Sequence, residues 1–246
     1  MKPSDSRRLL IGNRWALVGA IIYLLEWVAI LGFGAGNAPS GDPTTGAQAI
    51  ATEYKQHALA ISLMAGWFSL VLLGRILFVA GIRDALRQSG FRTILADFAL
   101  LSMAVSVVLE ISAYTIAGGA AHAAASGVGQ TSVVALDAVA NWLVLNIWAP
   151  LGASVLSAAL AMLLARAFPS WLCWLGMVAG VAGCAVGVIN GAAYHQGGAF
   201  YQVSNVLSAV AAIGFWLWML ITAILLFRAA GRPGRVPAPP AAEGIA

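Results

Sequence analysis

The sequence predicts an all-α membrane protein, a polytopic bundle of six transmembrane helices with both termini in the cytoplasm. Of its 246 residues, 61% are hydrophobic and only 9% are charged. An ordinary soluble domain carries about 25% charged residues. The composition therefore argues against a soluble enzyme, a nucleic-acid-binding protein and a disordered scaffold, and it makes the lipid bilayer the first partner of the chain.

Six apolar stretches are long enough to cross a bilayer, since a helix needs about 20 apolar residues to do so. They are residues 15–36, 57–82, 93–118, 140–166, 171–192 and 203–228. None of them alternates in polarity as a barrel strand does, so each is predicted to be a helix. We expect one transmembrane domain over residues 1–231 and a disordered cytoplasmic tail, rich in Pro and Ala, over residues 232–246.

The basic residues predict the orientation of the bundle. Eleven of the thirteen Lys and Arg residues flank the predicted spans on one side, and only Lys55 and Arg75 fall elsewhere. By the positive-inside rule this side is cytoplasmic. The expected location is the cell membrane, crossed several times. A cleaved signal peptide is the alternative for the first span, but that span is long and Glu26 interrupts it.

Two outer loops and one helix break are also predicted. Residues 37–48 are rich in turn-forming residues, and the second helix is expected to begin near Ala47. Residues 119–131 are mostly Ala, Gly and Ser and form the second predicted outer loop. Pro150 should kink or divide the helix in which it lies, because it lacks an N–H group and clashes with the preceding turn.

Two segments carry a resemblance to a known family. The pair Arg7-Arg8 precedes a helix with the pattern Gly-Ala-x-x-Tyr-Leu-Leu at residues 19–25. The run Leu-Leu-Ala-Arg-Ala-Phe-Pro-Ser-Trp-Leu at residues 163–172 leads into a Gly-rich helix. Together they resemble a bacterial family of six-span membrane proteins of unknown function. The resemblance implies the six-span layout and supplies neither a reaction nor catalytic residues.

Two glutamates lie within the predicted spans. Glu26 is about 18 Å beyond Arg14 along the first helix, near the bilayer midplane, and Glu110 is about 27 Å beyond Arg92. A charged side chain at this depth costs about 3 kcal/mol. A carboxyl group in apolar surroundings tends to hold its proton, and two such groups can act as a general acid and a base. Glu26 and Glu110 are therefore the candidate catalytic residues.

Arg75 and Asp97 are predicted to form a structural ion pair. They lie at similar depths, about 12 and 8 Å inside the membrane, on consecutive antiparallel helices. The alternative for Arg75 is to extend its guanidinium toward the cytoplasmic interface.

A group of polar and aromatic residues is predicted to line a ligand pocket open to the outer leaflet, with Glu26 as its floor. Tyr114 lies one helical turn from Glu110 on the same face, and deep tryptophans would suit a lipophilic substrate or stabilise a carbocation. Ordinary interfacial placement and core packing are the alternatives. The candidate ligand-binding residues are Trp27, Trp67, Tyr114, Asn146, Asn190 and His195.

No metal site or cofactor is expected. The three His residues lack ligand spacing such as HExxH, and haem would need a His at membrane depth. The residues Gly176, Gly180, Gly183, Gly187 and Gly191 form a stripe along the fifth helix. Such a stripe allows close helix packing inside the bundle, or alternatively a homodimer contact.

Three functions remain open from the sequence. The first is a membrane protein with an outer-leaflet pocket for a lipophilic ligand or a partner. The second is an intramembrane enzyme that uses Glu26 and Glu110 on an isoprenoid- or quinone-like substrate. The third is a small proton-coupled transporter, which would need a polar route through Arg75 and Asp97.

Overall fold

The computed structural model describes residues 13–36, 38–40, 45–196 and 198–231, and within these ranges the side chains of residues 193–201 are not described. This part of the chain is helical. The helices are α1 (Trp15–Leu24), α2 (Glu26–Gly32), α3 (Ala47–Gln56), α4 (Ala58–Val71), α5 (Leu73–Gln88), α6 (Ile94–Ala125), α7 (Gln130–Asn146), α8 (Trp148–Ala165), α9 (Ser170–Gln196) and α10 (Gly198–Ala230). The predicted tail at 232–246 lies outside the described residues.

Six segments of the described chain are long and apolar enough to cross a membrane, in agreement with the prediction. They are Trp15–Gly32, Ala58–Gln88, Ile94–Ala125, Gln130–Ala165, Ser170–Ala192 and Gln202–Ala230. The fourth begins at Gln130 rather than at residue 140. The second predicted outer loop was therefore too long, because α6 continues to Ala125 and only residues 126–129 separate it from α7.

Three of the six spans are interrupted by a single residue. The interruptions fall at Leu25 between α1 and α2, at Leu72 between α4 and α5, and at Ile147 between α7 and α8. The last confirms the predicted break near Pro150, because a proline cannot donate to the carbonyl four residues earlier. A helix begins at Ala47, as predicted, but it ends at Gln56, and His57 separates it from the second span.

Small residues set how closely neighbouring helices approach. A Cβ on Gly180 would lie 2.5 Å from the backbone nitrogen of Leu156, and one on Gly187 would lie 2.5 Å from that of Ala149. The glycine stripe of α9 is thus packed against α8 of the same chain, and a homodimer through it would have to displace α8. A second close contact, missed from the sequence, joins Gly19 of α1 to Gly74 of α5.

Helix α6 lies at the centre of the bundle, and α4, α5, α7 and α8 pack against it. Helix α1 lies against α5, whereas α9 packs between α8 and α10. Alanine dominates the buried face of α6, which permits these close contacts, while leucine and valine side chains on the opposite faces are exposed, as lipid contact requires.

Polar contacts close one end of the bundle, which we call the basic end because Arg83, Arg87 and Arg92 lie there. Asn13 donates to Asp84 at 2.7 Å, and its backbone N–H donates to the Leu226 carbonyl at 3.2 Å. The start of α1, the end of α5 and the end of α10 therefore meet at the same end. The Asn13 side chain also accepts from the N–H of Trp15 at 2.8 Å, which caps the first turn of α1.

Candidate functional site

Five polar side chains meet inside the bundle, and we call them the core polar cluster: Tyr23, Glu26, Arg75, Glu110 and Tyr114. They come from α1, α2, α5 and α6. Each carboxyl group interacts electrostatically with the arginine and with both tyrosines. The helix breaks at Leu25 and Leu72 lie one and three residues before Glu26 and Arg75, so two interrupted spans deliver the polar groups to the same place.

The strongest contact in the cluster is an ion pair between Arg75 and Glu110. The Arg75 guanidinium donates through Nη2 to Oε2 of Glu110. Arg75 is only 1% exposed and Glu110 is 9% exposed. The pair therefore lies in a medium of low dielectric, where water does not compete with either residue for its partner.

The predicted ion pair between Arg75 and Asp97 is wrong. Asp97 instead accepts from Arg83 and, at 3.0 Å, from Arg87, both at the basic end. The depth estimate failed because thirteen residues, or about 20 Å of helix, separate Asp97 from Glu110 on α6. Arg75 lies about 12 Å before Arg83 on α5. Arg75 therefore pairs with Glu110, the deeper of the two carboxylates. Asp97 pairs with Arg83 and Arg87 at the basic end.

Tyr23 connects the ion pair to Trp216 on α10. Its ring lies under the guanidinium of Arg75, with 5.0 Å from the guanidinium carbon to the ring centroid. Its hydroxyl oxygen accepts a hydrogen bond from Nε1 of Trp216 at 3.1 Å. That oxygen still has a proton to donate, and Tyr23 lies close enough to Glu26 for the two side chains to interact electrostatically.

Glu26 carries an unpaired carboxyl oxygen inside the cluster. The residue is 5% exposed. Within the described residues, its Oε1 atom is buried without a hydrogen-bond partner. Nε of Arg75 and Oγ of Ser106, one turn from Glu110 on α6, are in the same condition. Nε1 of Trp218 and Oγ1 of Thr222 on α10 are also unpaired. Buried polar atoms are paired in the great majority of cases, so each of these atoms is unusual.

Tryptophan side chains lie beside the helix break that precedes Glu26. The rings of Trp27 and Trp216 are in edge contact, with 4.9 Å between their centroids, and they join α2 to α10. Both side chains are half-buried. Nε1 of Trp67 donates at 2.7 Å to the carbonyl of Leu25 at the helix break, and this carbonyl also accepts from the N–H of Val28 at 3.1 Å. Trp27 and Trp67 were predicted ligand-binding residues, whereas Trp216 and Tyr23 were missed.

The structure brings together only some of the predicted site residues. Glu26, Glu110 and Tyr114 share the core polar cluster, and Tyr114 also packs on Phe68 with 4.3 Å between ring centroids.

Two other predicted ligand-binding residues make different contacts. Asn146 is exposed and donates at 2.7 Å to the carbonyl of Trp142 in its own helix. Asn190 is buried and accepts from Ser204. His195 belongs to α9, but its side chain lies outside the part of the structure that is described.

A second polar network, which we call the clasp, lies at the end of the bundle opposite the basic end and consists of Ser40, Tyr54, Asp137 and Asn141. Asp137 is 2% exposed. It accepts from the Ser40 N–H at 2.9 Å, the Ser40 hydroxyl at 2.6 Å, the Tyr54 hydroxyl at 2.8 Å and the Asn141 amide at 3.0 Å. The carboxylate thereby ties the loop before α3 to α3 and α7.

The clasp is a structural device that the sequence analysis did not identify. Burial and the Asp137 carboxylate raise the pKa of the Tyr54 hydroxyl well above its ordinary value. Tyr54 therefore stays protonated, and its hydroxyl group continues to donate to Asp137. Beside the clasp, residues of α3, α6 and α7, including Thr52, Lys55 and Gln130, line a shallow cavity of about 200 Å³. Among the described side chains, no three His, Cys, Asp or Glu residues lie close enough together to hold a metal ion.

Comparison of the chain with models of known protein families, with curated proteins and with solved structures finds no match. The resemblance to a six-span bacterial family is therefore supported only by the six apolar helices. The argument for function consequently depends on the geometry of this chain.

Proposed function

We propose that the protein binds a lipophilic ligand within the bilayer, with Glu26 as the polar group that holds it. The observation that carries the proposal is the buried, unpaired Oε1 atom of Glu26, the residue before Trp27, whose ring contacts Trp216. We further propose that the bundle lies in the cell membrane with the basic end in the cytoplasm, as the distribution of Lys and Arg indicates.

The charge balance of the core polar cluster supports this role for Glu26. Arg75 supplies one positive charge, and Glu110 already neutralises it through a direct ion pair. A second ionised carboxylate would leave a net negative charge in the bundle interior, which is costly in a low dielectric. Glu26 therefore holds its proton in the resting protein, and the cluster is neutral.

A purely structural role does not account for Glu26. The ion pair of Arg75 with Glu110 already joins α5 to α6, and close glycine packing joins α1 to α5. Burying a carboxyl group without full hydrogen bonding costs about 1 to 3 kcal/mol. A leucine at position 26 would avoid this cost in a bundle that only had to pack. A ligand with a polar head would instead pair with the free oxygen.

The position of Trp216 supports entry from the lipid side. Its ring touches Trp27 at the half-buried surface, and its N–H reaches Tyr23 inside the core polar cluster. Contact between α2 and α10 at this level is made by side chains, which can change rotamer without unfolding a helix. Movement of Trp216 would connect Glu26 to the acyl-chain region.

The same geometry disfavours the enzyme hypothesis in its original form. Acid–base catalysis by Glu26 and Glu110 needs both carboxyl groups free to exchange a proton with the substrate. Arg75 holds the Glu110 carboxylate in an ion pair. We therefore propose ligand binding rather than a reaction.

The test is to identify molecules that co-purify with the protein. The wild-type protein, Glu26→Gln and Glu53→Gln are purified in a mild nonionic detergent, extracted with organic solvent and analysed by mass spectrometry. Glu53→Gln is the matched control, because it removes one carboxylate at a distance from the cluster, on α3.

We expect one lipophilic molecule in the wild type and in Glu53→Gln, and its loss in Glu26→Gln. Bulk phospholipid alone, in equal amounts from all three proteins, would contradict the proposal.

A further inference from the structure

We infer that the ligand held by Glu26 is a lipophilic cation, which takes the place of the Glu26 proton. This inference rests on the proposed function and names the chemical class of its ligand. It is argued from the charge balance of the core polar cluster and from the aromatic rings around Glu26.

The first argument is that Glu26 binds either a proton or the cationic ligand, one at a time. With Glu110 paired to Arg75, the neutral state of the cluster requires a single positive charge at Glu26. A proton supplies it in the resting protein. When a cation binds, the O–H bond of Glu26 breaks, the carboxylate keeps the electron pair, and the proton leaves to water. The total charge of the cluster is unchanged, so the exchange avoids the cost of an isolated buried charge.

The second argument is the chemistry of the surroundings. Trp27 follows Glu26 in the chain, Trp67 donates to the carbonyl of Leu25, and Trp216 contacts Trp27 and Tyr23, so three indole rings lie near Glu26. Aromatic rings attract organic cations by about 0.5 to 2 kcal/mol each. The cluster already shows this interaction, because the Arg75 guanidinium lies over the Tyr23 ring. An anionic ligand would find one guanidinium, which is only 1% exposed and already paired with Glu110.

The third argument identifies the group that titrates. The charged or titratable side chains that interact with Glu26 are Tyr23 from α1, Arg75 from α5 and Glu110 and Tyr114 from α6. The helices α4 and α10 contribute Trp67 and Trp216, which do not titrate. Arg75 and Glu110 are held by their ion pair, which leaves Glu26 as the carboxyl group that exchanges its proton.

The test uses tetraphenylphosphonium as the probe and tetraphenylborate, an anion of the same shape, as its control. Equilibrium dialysis in a nonionic detergent measures the Kd of each probe between pH 5.5 and pH 8.5. We expect tetraphenylphosphonium to bind more tightly by up to about tenfold for each pH unit, because a proton competes with it. In a weakly buffered solution, each bound cation should release one proton.

The variants locate the effect. Glu26→Gln should weaken tetraphenylphosphonium binding at least tenfold and remove its pH dependence, while Glu26→Asp should keep both. Tetraphenylborate should bind equally to the wild type and to Glu26→Gln. If Glu26→Gln does not fold, the release of a proton by the wild-type protein when tetraphenylphosphonium binds tests the inference without this variant.

Binding that is independent of pH, releases no proton, or is equal in the wild type and Glu26→Gln would overturn the inference. If the co-purified molecule is then still lost in Glu26→Gln, the ligand is neutral and the proposed function stands. If neither measurement depends on Glu26, both proposals fail.

Discussion

The Arg75 guanidinium on α5 donates to the Glu110 carboxylate on α6, and both groups are buried within the bundle. The two residues are 35 positions apart in the chain, and the helix break at Leu72 lies just before the arginine. Each partner of a buried ion pair would be an uncompensated charge without the other. The proposed protonation of the second carboxyl group, Glu26, therefore depends on this contact.

Removing one partner of this pair should destabilise the protein strongly. Arg75→Met leaves Glu110 buried and unpaired, and we expect a loss of about 3 to 5 kcal/mol in the free energy of unfolding. Titration with sodium dodecyl sulfate, followed by circular dichroism, measures the change. Arg87→Gln is the control, because it removes an exposed arginine at the basic end and should cost less than about 1 kcal/mol.

The double variant Arg75→Met with Glu110→Leu replaces both charges by apolar side chains. It should recover most of the stability lost in Arg75→Met, since a buried ion pair contributes little beyond an apolar pair of similar volume. A double variant no more stable than Arg75→Met would show that the two side chains are not coupled.

The hydrogen bond from Trp67 to the Leu25 carbonyl should stabilise the break in the first span. Trp67→Phe keeps an aromatic ring beside Phe33 and removes the donor. We expect a loss of about 0.5 to 1.5 kcal/mol. Hydrogen exchange at the amides of residues 25–29 should accelerate more than exchange in α9, which does not contact Trp67. Equal acceleration in both regions would indicate general destabilisation instead.

The clasp should make stability depend on alkaline pH. Burial and the Asp137 carboxylate raise the pKa of the Tyr54 hydroxyl above its ordinary value of 10.0. The unfolded chain therefore loses this proton near pH 10 while the folded chain keeps it, so the contribution is complete below that pH and declines above it. The stability difference between the wild type and Tyr54→Phe should shrink as the pH rises above 10. A difference that stays constant to pH 11 would contradict this role of Tyr54.

The close packing of α8 and α9 should not tolerate a side chain at Gly180. A Cβ there would lie 2.5 Å from the Leu156 nitrogen, so Gly180→Ala should cost about 1 to 3 kcal/mol. Gly66 in α4 is the matched control, because a Cβ there meets no atom within 4 Å. Gly66→Ala should leave the Tm unchanged or raise it. Equal Tm values for the two variants would place α9 away from α8.

The six spans could be predicted because their signal is local. Apolar length and the scarcity of charge are read directly from the sequence, and so is the start of a helix at Ala47 after a turn-rich segment. The start of the fourth span was misplaced for a physical reason. Asp137 and Asn141 look like interfacial residues in the sequence, but the clasp buries them and allows a regular helix from Gln130.

The candidate site could be predicted only in part. Tyr114 follows Glu110 by one turn, so helical geometry was enough to place them on one face. Arg75 was assigned to the wrong carboxylate because depth counting ignores the direction in which a side chain leaves its helix. Trp216 contacts Tyr23 across 193 positions of the chain, and no local pattern in the sequence signals such a contact.

The most direct test of the central claim is labelling with dicyclohexylcarbodiimide, a lipophilic reagent that adds to protonated carboxyl groups. Peptide mapping by mass spectrometry locates the stable N-acylurea product. Glu26 should be labelled from the lipid side, and Glu110 should not react, because its carboxylate is paired with Arg75. Tetraphenylphosphonium should protect Glu26. Labelling of Glu110 in preference to Glu26, or of neither residue, would contradict the account.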